Sequence, residues 1–569
     1  MFDRDMNLDP ITTEVIASRI RETTAAMAHA LFHSGYSPIL RESQDGTAGL
    51  CDADGRVVMV GGGLQYHSLL YTRAVASVCE RYPLAEMREG DSFISNDPYK
   101  AGNSHVPDVV VITPVFYGRE IIAFGASVAH KADVGGLVPG SSGAAAREIF
   151  HDGVLIPPVR YWTKDGVNRE VDAILRNNSR IPEVVIGDLR GQVGSTRLGG
   201  ARLVALCEEY GVETMRSAMA SLIARTAARV RNELAGWPDG THSAEGRLDH
   251  DGADRARPVC IRVTARKNAD RLTLDFSGID AQAKGPVNTP APTAQAVSLL
   301  AVIAASDPTI PMNSGVLDAV DFIMPPGTLV SPQFPASVNH YFPTSHIVYA
   351  CVLAALGKLN PQRAVAPAGF GTGALAIGYA AGRAGKPTVQ YELMVTSLGG
   401  TSTHDGTSFV MPMNHFTPGT PVEIIETEYP VRVRRYDIWR DSAGPGRQRG
   451  GIGNVREYQL LVDCILTART SNHRQGAWGL NGGERPPLSR TIINPGTEQA
   501  QEMDCMETRM VPAGTVVRLE QTGGGGYGDP MARPRELVQQ DIEDGYVSPE
   551  MAATQYGYRF PGVTRAIRG

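Results

Sequence analysis

Apolar residues at Ile11, Val15, Ile20, Met27 and Leu31 recur near one face of a 3.6-residue period, which predicts a helix over residues 9–32. Asp9 suits its N-cap and Pro10 its first turn. The period then shortens. CDADGRVVMV (51–60) sets an Asp-Gly turn between apolar runs and predicts a hairpin over 48–60. A second hairpin pairs Val109–Phe116 with Ile121–Ala129 across a Gly118-Arg119 turn. Residues 131–160 are rich in glycine and proline and read as an ordered loop at an active site.

Heptad-like spacing makes 170–236 helical, and 240–290 returns to strands, with CIRVTARKNADRLTLDFSG turning at Asn-Ala-Asp. Helices are expected over 291–305 and 343–357. Beyond 360 the runs are strand-length between glycine turns, as in VREYQLL and GTVVRLEQ, until two short helices near the end. PVEIIETEYP reads as strand, which makes Glu423 and Glu426 hydrogen-bonded scaffold rather than an acid/base pair. The expected fold is mixed α/β (α+β), a large enzyme subunit with a β-rich C-terminal part. Its expected divisions are 1–165, 166–240, 241–365 and 366–569.

Composition narrows the class. The chain has 569 residues, 42% of them hydrophobic and 20% charged, which is enough to build a large core. A net charge of −6 with both signs interspersed gives no basic footprint for nucleic acid. The seven cysteines include no CxxC pair, so neither a disulfide framework nor a cysteine zinc site is expected. The start MFDRDMNLDP has no secretory apolar core, and the apolar stretches near 296–305 and 346–356 are about half of a membrane span. A reduced cytoplasm is the expected location.

Chemistry concentrates in NDPYKAGNSHVPDVVVITPVFYGREIIAFGASVAHKADVGG (96–136). With 117 opposite 120 across the turn, 107 faces 130 and 108 faces 129. His105, Asp108 and His130 therefore converge at the open end of one hairpin. Two imidazoles and a carboxylate there can hold a divalent cation with positions left open. The alternative reading makes both histidines loop-edge residues that hydrogen-bond their own turns. Asp133 reads as a turn residue before Gly135-Gly136. TGGGGYGDP (522–530) and FGTGALAIG (370–378) lack the strand-loop-helix setting and Lys-Ser/Thr of a phosphate loop and read as turns.

The order of motifs resembles the hydantoinase B family, which takes in the B-type chains of N-methylhydantoinases, the C-terminal half of 5-oxoprolinases and acetone-type carboxylase large subunits. The resemblance runs from DPITTEVI (9–16) through RESQDGTAGLCDADGRVV (41–58), NDPYKAGNSHVPDV (96–109), HKADVGGLVPGS (130–141) and GVLIPPVRY (153–161). It continues in LTLDFSGI, GPVN, IPMNSG and HDGTSFVMPMNHFTPGTPVEIIETEYP. It ends in DSAGPGRQRGGIGNVREY, WGLNGG and TGGGGYGDP, so nearly the whole chain is covered.

The resemblance implies a metal held by His105, Asp108 and His130, with Asp45 as a further carboxylate. RESQDGT departs from the family there, with Gly46-Thr47 in place of an apolar-Ser pair. His67 falls where the family places a histidine after Pro-Val, here Gln-Tyr, and is a candidate for the substrate pocket or for loop packing. RQRGGIGNVR is expected to be a structural or interface segment.

The resemblance further implies a Zn, Mn or Fe ion on this chain and ATP-Mg on a separate hydantoinase A-like subunit of a hetero-oligomer. The expected reaction is ATP-dependent opening of a cyclic amide, with Glu148 and Asp133 as candidate bases. Carboxylation of a ketone is the rival enzyme reading, and a non-catalytic assembly subunit is the third.

Overall fold

The computed structural model describes residues 9–370, 373–383, 385–410, 413 and 418–559. Residues 1–8, read above for a leader, lie outside them, as do Gly371-Thr372 of the FGTGALAIG segment and most of MPMNHFT (411–417). The described residues form a mixed α/β fold with four sheets.

The first sheet contains β1 (Gly46–Asp52), β2 (Val57–Gly61), β3 (Ser92–Ser95), β4 (Asp108–Tyr117), β5 (Glu120–His130), β6 (Val159–Thr163) and β7 (Gly166–Val167), in the order β2-β1-β5-β4-β3-β6-β7. Every pairing in it is antiparallel. Its apolar runs are continuous because both faces are covered. Val109 and Val111 pack on Ile186, Leu189 and Val193 of the Pro182–Tyr210 helix. Val110 and Ile112 turn the other way, into a core shared with Tyr71, Val75 and Val78 of the Leu70–Arg81 helix. Strand period two sends neighbours to opposite faces, and each valine so buried contributes about 1.5 kcal/mol.

The Pro10–His33 helix starts where its sequence says, with the Asp9 side chain accepting from Thr12 N. It packs Ile16, Ile20, Met27 and Leu31 against Ala48, Leu50 and Leu203. Ile11 and Val15, placed on the same stripe by periodicity, are exposed instead.

A second sheet of Gly240–Leu248, Val259–Asn268, Arg271–Asp275 and Val320–Ile323 packs on the Ala291–Ala305 and Tyr341–Leu359 helices. The Tyr341–Leu359 helix is longer than the 343–357 stretch expected and, among the described residues, is long and apolar enough to cross a membrane; it is 83% buried within the protein, as a core helix. The two remaining sheets interleave between Gly373 and Gln521 and bear out the β-rich C-terminal part.

Two local expectations change. Val422–Glu428 is a helix rather than a strand, because Pro421 starts it and Glu423 sits in its first turn, where it favours the helix dipole. Glu426 keeps its scaffold role by accepting from Val433 N at 2.7 Å. The run Gly523–Gly526 is threaded among other backbones rather than forming a turn. A Cβ on Gly524 would run into the Leu398 carbonyl oxygen. Only glycine permits that approach.

Candidate metal centre

The site begins at the open end of the β4–β5 hairpin. Asp108 is the first residue of β4 and His130 the last of β5, and they face one another directly. Counting from the turn had placed Asp108 opposite Ala129. A β-bulge near Ile122 inserts one extra residue on β5 and shifts the ladder by one. β1 pairs with β5 on the other side, and His130 N donates to the Asp45 carbonyl at 3.1 Å, which carries Asp45 to the same end of the sheet. His105 comes from the loop before β4. Asn103 holds that loop by donating to the Asp108 carbonyl at 2.7 Å, and Lys131 N donates to the Pro107 carbonyl at 2.9 Å.

The side chains converge as the chemistry requires. His105 Nε2 lies 3.0 Å from Asp108 Oδ1 and 3.2 Å from His130 Nδ1, and His130 Nδ1 lies 3.1 Å from Asp108 Oδ1. Ligand atoms about 2.1 Å from one cation, at octahedral to tetrahedral angles, stand about 3.0–3.4 Å apart. The donor set therefore fits a divalent cation.

Outer contacts support that fit. The Asn339 carbonyl accepts from His105 Nδ1 at 3.0 Å, which leaves the Nε2 lone pair facing the site. Asp108 Oδ2 and His130 Nε2 are buried without a hydrogen-bond partner among the described residues. His67, at the end of a short 3₁₀ turn, puts Nε2 3.4 Å from Asp108 Oδ2. Asp45 lines the same cavity, although its carboxylate is not within the 4.8 Å group formed by the other three.

Burial disfavours an ionised Asp108, but the imidazoles of His105, His130 and His67 around it outweigh that and hold the carboxyl well below its usual range. Burial pushes His130 down to about 4, so the ring is neutral at pH 7. Burial and then the Asp108 charge raise Asp45 well above its usual value. Two carboxyls in one dry site repel, and a cation between them relieves that.

Neither candidate base reaches the cavity. Asp133 is a turn residue, as expected: it accepts from Gly135 N and Gly140 N and pairs with Arg180 at 2.9 Å. Glu148 caps the Ile149–His151 turn. The cavity, about 30 Å³, is lined instead by Tyr66, Tyr341, Tyr391 and Arg469 around the ligand set. Spacing offered no signal for these four, because they come from segments up to about 400 residues apart. A second His/Asp/Cys group, His250, Asp504 and Cys505, is a different arrangement. Gly252 N donates to His250 Nδ1, so Nε2 carries the proton and donates it to Asp504 at 2.7 Å. That ring is not a free ligand.

A family model described as hydantoinase B/oxoprolinase matches residues 9–530. The chain belongs to this family. Among its relatives, a protein of Pseudomonas sp. (strain NS671), provisionally named as the B component of a D-/L-hydantoinase, is 31% identical over 97% of this chain and 95% of its own length. The crystal structure of the ATP-dependent caprolactamase from Pseudomonas jessenii superposes with a TM-score of 0.90 at 25% identity, over 98% of this chain and 97% of that one. The acetophenone carboxylase delta subunit of Aromatoleum aromaticum is 23% identical over 92% of this chain and 82% of its own length. These relatives make the chain a subunit-type member of an enzyme family.

Proposed function

We propose that this chain is the metal-bearing catalytic subunit of an ATP-dependent cyclic-amide hydrolase, and that it works with a separate ATP-binding subunit. The observation that carries the reading is the buried convergence of His105, Asp108 and His130, with Asp45 and His67 beside them, in a chain of this family. His105, Asp108 and His130 would hold the cation, and Asp45 would complete the set. Zn, Mn and Fe all suit mixed nitrogen and oxygen donors. Such an ion supplies Lewis acidity at a carbonyl oxygen and acidifies water.

The chain's own residues do the rest. Asn339 orients His105, Asp108 stays ionised, and His130 stays neutral. The buried side chains that line the cavity limit bulk water at the reacting group.

The lactam substrate class rests on the relatives. This chain matches the hydantoinase and caprolactamase relatives over 95–97% of their length, against 82% of the carboxylase subunit, which favours ring hydrolysis over ketone carboxylation. Reconstitution tests the reading. The chain is mixed with an A-type subunit and ATP, and hydantoin, 5-oxoproline and a lactam panel are followed for ring opening. Ring opening is expected only with both subunits and ATP. Opening by this chain alone, without ATP, would make it a simple metal amidohydrolase.

A further inference from the structure

Arg469 is the anomaly of the cavity. It is 3% exposed, lines the cavity directly and, among the described residues, makes no ion pair. Its Nε donates to His340 Nδ1 at 3.3 Å. One Nη1 hydrogen goes to Ser142 Oγ at 2.6 Å, the other to Tyr391 Oη at 3.1 Å, and Nη2 donates to the Asn339 carbonyl. All four acceptors are neutral. A guanidinium has five N–H donors and does not lose its proton, so one Nη2 hydrogen and the whole charge are left without a counterpart. Asp152, which feels that charge, is turned to Ser337 and Val338 at 2.6 and 3.2 Å. A buried charge without a partner is costly.

A second count points to the same place. Tyr66 Oη and Tyr341 Oη lie 2.9 Å apart, both phenols are buried, and neither makes another hydrogen bond among the described residues. Two hydroxyls carry two protons, and their mutual bond uses one. The other O–H has no acceptor among the described residues, and both rings line the cavity that holds Arg469 and the metal-ligand set. Arg469 brings to that same cavity one positive charge that its four neutral acceptors do not balance. The missing group is a monoanion that accepts hydrogen bonds.

We propose that the cavity is an oxyanion site, in which Arg469 and the Tyr66–Tyr341 pair donate to an oxygen anion held against the metal-ligand set. During ring opening that oxygen is the amide carbonyl oxygen, which takes up the π electron pair as a nucleophile bonds to the carbon. In the resting protein a cavity of about 30 Å³ admits water or a three-atom anion such as formate. The site thus selects substrates whose reacting group develops or carries negative charge on oxygen. This rests on the cavity being the reaction centre of the proposed hydrolase.

Titration calorimetry with sodium formate tests it, on the chain as purified and after saturation with a divalent cation, with neutral formamide in parallel. Arg469→Met is expected to weaken formate about tenfold or more, and Tyr66→Phe with Tyr341→Phe about fivefold, as loss of charge-assisted hydrogen bonds implies. Formamide should respond much less to Arg469→Met. Circular dichroism checks folding, and Arg469→Lys and the tyrosine variants carry the test if Arg469→Met does not fold. Formate binding absent from the parent, or indifferent to both kinds of substitution in both metal states, overturns the proposal. Elemental analysis separates the two ideas: a chain without metal that still binds formate through Arg469 keeps the oxyanion site and loses the metal centre.

Discussion

At the scale of the residue, the histidines of the site are distinguished by what stands behind them. His105 is held at Nδ1 by a backbone carbonyl, whereas His130 Nε2 is buried with no partner among the described residues and its ring lies 4.5 Å from that of Tyr391. If these rings hold a cation, His105→Ala and His130→Ala should each remove most of the bound metal and leave the fold in place. Each ring sits at a loop–strand edge, outside the apolar clusters around the sheet. Elemental analysis beside circular dichroism reads both quantities, and metal content unchanged in both variants would contradict the assignment. The convergence was legible because a two-residue turn and strand period place 105, 108 and 130 together. Their exact opposition was not, because a bulge depends on local twist and leaves no mark in an apolar run.

At the scale of the element, the hairpin is tied to the Pro182–Tyr210 helix by a buried polar clamp. Lys131, fully buried, donates from Nζ to Gln192 Oε1 at 2.6 Å, and burial pushes its ammonium down to about 8. Gln192 Nε2 donates onward to the Val109 carbonyl at 2.9 Å and to the Ser127 carbonyl at 3.3 Å, one on each strand of the hairpin. Removing the acceptor strands a buried cation, and removing the cation strands the amide oxygen and withdraws a positive charge from buried Asp188, Asp108 and Asp45. Gln192→Leu and Lys131→Met should therefore each destabilise the chain by about 3 kcal/mol. Thermal unfolding of the two variants checks this; a loss under about 1 kcal/mol in both would mean that the clamp does not hold the hairpin. Helix periodicity marked 170–236 correctly, but a glutamine inside that pattern gives no sign that its side chain reaches across to a strand.

At the scale of the whole molecule, the glycine-rich segments that resemble nucleotide loops are structural. Gly444, Gly450, Gly451 and Gly524 hydrogen-bond one another's backbones, Gly523, Gly525 and Gly526 N donate to the Ser442, Pro367 and Glu484 carbonyls, and Arg449 is engaged by Asp541 at 2.8 Å. Backbone amides already paired in this way cannot cradle phosphates. The isolated chain should accordingly show no micromolar ATP binding by calorimetry, and such binding would overturn the proposed division between two subunits.

The sequence by itself determined the helices and strands whose apolar period is regular, the family, and the convergence of His105, Asp108 and His130 at the open end of one hairpin. All of these depend on neighbours within about 30 residues or on ordered motifs. Only the tertiary structure decided that Tyr66, Tyr341, Tyr391 and Arg469 meet those three residues in one cavity, that Val422–Glu428 is a helix, and that the C-terminal glycines let backbones cross. Periodicity and turn chemistry are local properties of a chain. The meeting of side chains some 400 residues apart is set by how sheets and helices pack, which no local pattern records.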